Sequence, residues 1–160
     1  MKSISIIHAL FKDLPAVLEL QKCCYQSEAA IYNDYTIPPL TQTLEELYAE
    51  VKQDVVCMIA REEQVMVGAV RGYVKDGTGY INKLIVAPGH RNQGIGKLLM
   101  HSIEKELQPV RRYELFTGHN SQKNLYLYRK LGYSETREAK VNKGLRLIYL
   151  EKIISGFGQE

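Results

Sequence analysis

The sequence predicts an α/β protein of the α+β kind, one mixed sheet with helices on both faces, and three observations carry that prediction. Its 160 residues suit a single core of ordinary domain size. Three strand-like runs between residues 55 and 86 follow one another across short turns, as an antiparallel meander requires. From 80 to 117 a strand, an amphipathic helix and a second strand succeed one another, and such a crossover brings its two strands back parallel.

Residues 4–8 read as a short strand. Asp13 then stands as the cap of a helix with Pro15 in its first turn and Val17, Leu18, Leu20, Cys24 and Tyr25 as its apolar side, fading near Ala30. The proline-punctuated, aromatic segment 31–43 reads as loop, and Thr43 with Glu46 forms a capping box for a helix to about Gln53. The meander occupies 55–60, 65–74 and 80–86, turning at 61–64 and at Asp76-Gly77. A helix over 94–107 leads to a strand at 113–117, and a second helix, 121–131, stops at Gly132. A ragged strand from Tyr133 and the run 145–153 close the sheet, giving the order βααβββαβαββ. Cys57 and Met58 are expected in the core, and Tyr126 and Tyr133 as packing residues. One domain over 1–154 is expected, with a loose tail at 155–160.

Composition excludes several classes. No apolar run approaches the roughly 20 residues of a membrane span, and no export signal is read in the first 17 residues, so a cytoplasmic location is expected. Three cysteines, two of them adjacent, fit free thiols better than bridges, and four scattered histidines lack the spacing of a zinc site. The net charge of +3 is small but unevenly placed. Residues 13–63 hold ten acidic and three basic side chains, and residues 83–112 six basic and two acidic. The basic stretch has no interleaved aromatics, so nucleic acid is not an expected partner.

The segment VAPGHRNQGIGKLLM, residues 86–100, joins a strand to a helix through glycines and fixed cations. A helix leaves its first amide N–H groups without partners and is partially positive at that end, so such a junction is suited to an anion. Gly94 and Gly96 expose backbone there, and Arg91 and Lys97 flank it. A P-loop fails because no glycine stands five residues before Gly96 and Leu98 follows Lys97; a dinucleotide fingerprint fails at Leu99.

The same segment resembles the acyl-CoA pyrophosphate loop of the GCN5-related N-acetyltransferases, whose pattern R/Q-x-x-G-x-G/A follows a V-x-P strand end. Here it reads Arg91, Asn92, Gln93, Gly94, Ile95, Gly96. The stretch NSQKNLYLYRKLGY, 120–133, resembles that family's second signature, and the element order agrees over almost the whole chain. The resemblance implies the GNAT fold, a mostly antiparallel sheet in which parallel strands four and five splay apart. It implies an N-acetyltransferase that uses acetyl-CoA and no metal, with a homodimer as an assembly the family offers. The pantetheine arm would bond the backbone of Leu84, Ile85 and Val86, the pyrophosphate would lie on the amides from Gln93 to Lys97, and Asn124 would touch the arm. Tyr128 corresponds to the family's general acid, a role that suits a phenol protonated at neutral pH.

A protonated amine cannot attack a thioester, so a base is also needed. Many family members place a glutamate on strand four, where this chain has Asn82 and Lys83. Glu28 and Glu114 are the candidates in its stead, with His119 a third. The missing carboxylate would also fit an acyl-CoA-binding module that senses without catalysis. The family forms its acceptor site partly from the loop between the first two helices, which here offers Tyr32, Asp34 and Tyr35 to an amine. With the acidic first third, this suggests a small cationic acceptor, or a lysine or N-terminus of a protein.

Overall fold

A computed structural model describes residues 3–154, so the expected tail lies outside the described residues. In chain order the elements are β1 (Ile4–His8), α1 (Leu14–Tyr32), α2 (Pro38–Thr41), α3 (Leu44–Lys52), β2 (Val56–Glu62), β3 (Val65–Lys75), β4 (Thr78–Val86), α4 (Ile95–Leu107), β5 (Arg112–Gly118), α5 (Gln122–Lys130), β6 (Ser134–Lys140) and β7 (Arg146–Ile153). One seven-stranded sheet runs β1-β2-β3-β4-β5-β7-β6, antiparallel throughout except at the β4–β5 pair.

Three local expectations need correction. Asp13 makes no side-chain bond to the first amides of α1; its Oδ2 accepts from the Leu10 amide at 2.8 Å and its Oδ1 from Arg61 at 2.8 Å, so it closes the turn before the helix. The 31–43 segment is not all loop, because α1 continues to Tyr32, where left-handed Asn33 (φ 48°) ends it, and Pro38-Pro39 start the single turn of α2. Tyr126 is 67% exposed rather than packed, whereas Tyr133 is buried and donates its hydroxyl to Glu104 at 2.7 Å. The capping box forms as expected: the Glu46 amide donates to Thr43 Oγ1 at 3.1 Å and the Thr43 amide to Glu46 Oε1 at 2.8 Å.

The core has two layers. On one face α4 lays Ile95, Leu99, Ile103 and Leu107 against Val67, Val70, Ile81 and Leu115, with Leu125 and Tyr128 of α5 joining them. On the other, α1 and α3 pack Val17, Leu18 and Leu47 against Cys57, Ile59, Ala69 and Ile85. Met58 points into the first layer and Cys57 into the second, as strand alternation dictates.

A bulge in β4 positions the site. Ala69 pairs with Ile85 and Arg71 with Asn82, so β4 carries one extra residue, and Lys83 takes φ 55°. The extra residue moves Leu84 and Val86 onto the α4 face with Ile81. β4 has already parted from β5 before the bulge: the parallel ladder covers only Thr78, Gly79 and Tyr80 against Arg112, Tyr113 and Glu114.

Candidate active site

The junction before α4 leaves backbone donors open. Gly94 caps the helix in the left-handed region (φ 80°), preceded by left-handed Asn92 (φ 63°), and Ile95 anchors the turn in the core. The Leu98 amide is the first to close a turn, onto the Gly94 carbonyl at 3.1 Å. Among the described residues the amides of Gln93, Gly94, Ile95, Gly96 and Lys97 donate to nothing. A Cβ built at Gly94 meets no atom within 4 Å, so the space over these amides is clear. Arg91 and Lys97 are exposed on either side.

The open edge of β4 runs from this loop into the gap. The Ala87 amide bonds the Val67 carbonyl, which turns the polar groups of Val86 away from β3. The Val86 carbonyl accepts from Arg91 Nε at 3.2 Å and from Cys24 Sγ at 3.4 Å, which ties α1 and the loop to the strand edge. Burial raises the Cys24 thiol above its ordinary value, with nearby Arg91 opposing.

Across the gap, α1, the end of β5 and the start of α5 converge on Glu28. Ser121 Oγ donates to Glu28 Oε2 at 2.6 Å, and Asn124 Nδ2 lies 3.1 Å from Glu28 Oε1 and 3.2 Å from Thr117 Oγ1. Tyr128 is buried at the α5 side of the same gap, its ring tilted against Tyr133 with centroids 6.1 Å apart. Burial first, then the neighbouring Tyr25 and Glu28, hold this phenol well above its ordinary value, so it is protonated at any physiological pH. Tyr25 is raised for the same principal reason, burial, and next by Glu28.

The remaining candidates are placed elsewhere. Glu114 is bound by Arg112 at 2.7 Å, with Arg137 at 3.9 Å from its other oxygen. His119 Nδ1 accepts from the Arg146 amide at 3.0 Å, bracing the β5–α5 turn against β7. The Tyr32 hydroxyl bonds Ser121 Oγ at 2.8 Å and accepts from the Asn120 amide at 2.9 Å, so it struts α1 against that turn. Asp34 accepts from the Thr36 amide and hydroxyl, which lowers its pKa, and Tyr35 is exposed. Six of the ten carboxylates of the acidic first third are engaged inside the chain: Asp13 with Arg61, Glu50 with Arg71, Glu28 with Ser121 and Asn124, Glu62 with His90, Glu46 in its cap and Asp34 in its turn.

Residues 14–133 match the acetyltransferase (GNAT) family. This chain belongs to it. The solved GNAT structures it is similar to include the PaiA N-acetyltransferase of Thermoplasma acidophilum in complex with coenzyme A, at TM-score 0.80 and 16% identity over 95% of this chain and 99% of that one. The ribosomal-protein-S18-alanine N-acetyltransferase of Escherichia coli gives TM-score 0.80 and 16% identity over 99% and 98%. YncA of Salmonella typhimurium, solved with its cofactor acetyl-CoA, gives 0.74 and 19% over 96% and 95%. No curated protein matches. The splayed β4–β5 pair of this GNAT chain is the fold expected from its sequence.

Sequence reasoning missed two parts of this GNAT site. Ser121 and Thr117 join Glu28 only through the fold, since Glu28 and Asn124 stand 96 residues apart, whereas Tyr25, one turn before Glu28 on α1, is a neighbour that helix spacing alone could have given. A groove of about 380 Å3 on the open half of the sheet, walled by Tyr73, Tyr80, Phe116 and Tyr149, was also unread. Its sequence signal is the alternation that places these rings on one face of successive strands.

Proposed function

We propose that this protein is an N-acetyltransferase that moves an acetyl group from acetyl-CoA to a primary amine by direct attack in a ternary complex. The observation that carries the proposal is the row of undonated amides at 93–97 opening onto the gap between β4 and β5. These residues fit a diphosphate: five N–H groups, the positive end of a 13-residue helix and two fixed cations suit an anion and little else. Gln93 to Lys97 would hold the diphosphate with Arg91, the edge Leu84, Ile85 and Val86 would take the pantetheine arm, and Asn124 Oδ1 is left to meet it.

The acetyl thioester supplies the electrophile. The amine nitrogen forms its bond to the acyl carbon, the carbon–sulfur bond breaks, and its electron pair leaves on sulfur. One proton must pass from the nitrogen to the sulfur. Tyr128 is the donor to sulfur, since it is protonated at neutral pH, and the proton that the base takes from the nitrogen returns to its phenolate, so one proton passes from nitrogen to sulfur overall. Glu28 is the better base of the two carboxylates, because it neighbours Tyr128 and its own partners, Ser121 and Asn124, are neutral, while Glu114 is held by the Arg112 guanidinium.

Thermal denaturation with CoA tests the binding half: at 100 times the dissociation constant the ligand should add about 2.7 kcal/mol, and NAD should add nothing. Thiol release over an amine panel tests the chemistry. Tyr128→Phe and Glu28→Gln should each lower turnover about a hundredfold or more with CoA affinity intact, and Glu114→Gln should not. CoA binding without thiol release in any amine would favour the sensing module instead.

A further inference from the structure

The class of amine can be read from the groove beside the gap. Tyr73 stacks on Tyr80 with centroids 5.1 Å apart, and Phe116 meets Tyr149 at 5.4 Å, so the walls are two aromatic pairs on either side of the β4–β5 divergence. At the β4 side Asn82 presents a side-chain oxygen that is buried and without a hydrogen-bond partner. Such an oxygen is unfavourable until an N–H reaches it. On the far side the Arg137 guanidinium lies over the Tyr149 ring, 3.6 Å from its centroid. Stacking leaves the edge of a guanidinium free for in-plane bonds to a carboxylate. The carboxylate nearest to it in the groove, Glu114, is 3.9 Å away and already held by Arg112 at 2.7 Å. Lys75 lines the same groove, exposed and in no ion pair among the described residues.

Arg137 leans from β6 over β7 while Asn82 stands on β4 where it has parted from β5, so oxygen and guanidinium are at least two strand spacings apart, on the order of 10 Å or more. We propose that the acceptor is an anionic amine: a molecule with a flat apolar body whose primary amine donates to Asn82 Oδ1 and whose carboxylate, roughly that far away, is taken by Arg137 with Lys75 beside it. Accepting one N–H fixes the nitrogen and leaves its lone pair free to face the thioester. The inference rests on the transferase reading above, and it replaces the small cationic acceptor suggested by the acidic first third of the sequence.

The test uses the full chain saturated with CoA and two probes that differ only in a carboxylate, 4-(2-aminoethyl)benzoate and 2-phenylethylamine, with binding followed by calorimetry. The benzoate should bind about tenfold more tightly, as expected for a charge-assisted bond at a half-exposed site. Arg137→Ala should remove the difference, Arg137→Lys should keep part of it, and CoA affinity should be the same in all three proteins. Equal binding of the two probes, a preference undiminished in Arg137→Ala, or spermidine binding more tightly than either overturns the inference. Binding is read without turnover, so the two readings fail separately. A preference for the benzoate with no thiol release from acetyl-CoA sinks the transferase and leaves the groove's selectivity standing, whereas equal kcat/KM for both probes sinks the anionic acceptor alone.

Discussion

Replacing Gly96 with alanine separates the stability of α4 from its proposed role as an anion cradle. Gly96 is the second residue of the helix, where alanine loses less chain entropy on folding and adds about 0.4–1 kcal/mol of stability. The new Cβ would stand 3.5 Å from Leu127 Cδ2, 3.9 Å from Val86 Cγ2 and 4.0 Å from Leu84 Cδ2, ordinary contacts that require no adjustment of the protein. The ligand-free protein should therefore melt about 1–4 °C higher. The R/Q-x-x-G-x-G/A pattern admits alanine as well as glycine at this position, and the new methyl group faces Leu127, Val86 and Leu84 rather than the free amides, so it should leave the cradle usable. CoA affinity should therefore stay within about twofold, roughly 0.4 kcal/mol. Thermal melts give the first quantity and calorimetric titration with CoA the second. A higher melting temperature with CoA binding weakened about tenfold or more, roughly 1.4 kcal/mol, would refute the reasoning, because it would show the methyl group blocking an amide that the turn must present.

Arg71 is fully buried and bonds Gln21 at 2.8 Å, Gln42 at 3.0 Å and Glu50 at 3.1 Å, joining β3 to α1, α3 and the segment between them. Arg71→Ala should reduce stability by about 3 kcal/mol, at the low end for a broken buried pair because Glu50 keeps some solvent; a denaturant midpoint that hardly moves would contradict this. Burial pushes the Cys57 thiol from 9.0 up to about 11, so the folded state keeps a proton that the unfolded chain releases, and stability falls as pH rises from about 9 to 11. The loss is on the order of 2–3 kcal/mol, and urea unfolding across that range should show a shallower pH dependence in Cys57→Ala than in the parent protein. Tyr32→Phe leaves the Asn120 amide and Ser121 hydroxyl without their shared partner and should lower stability by about 1–2 kcal/mol. Hydrogen exchange at Asn120 should quicken in that variant, and protection unchanged from the parent would show that the strut carries no load.

Much of the fold was legible because its signals are local. The Thr43 and Glu46 cap, the Asp76-Gly77 turn and the alternation of β3 and β4 each lie within a few residues, and each appears where the sequence places it. Asp13 misled because its carboxylate had two uses within reach, and the pairing with Arg61, 48 residues away, is invisible to a capping rule. Tyr126 misled because an aromatic residue in a short helix reads as core unless the facing layer is known.

The sequence by itself determined the open turn before α4, since glycine at a left-handed position and unpartnered first-turn amides follow from backbone geometry alone. It determined the mixed sheet as well, through hydrophobic period and turn chemistry. Only the tertiary structure decided which carboxylate stands beside Tyr128, which carboxylates are already paired, and that Asn82 and Arg137 face one groove. Those are distances between side chains on different strands and helices, and they are set by the β4 bulge and the strand order, which no local pattern encodes.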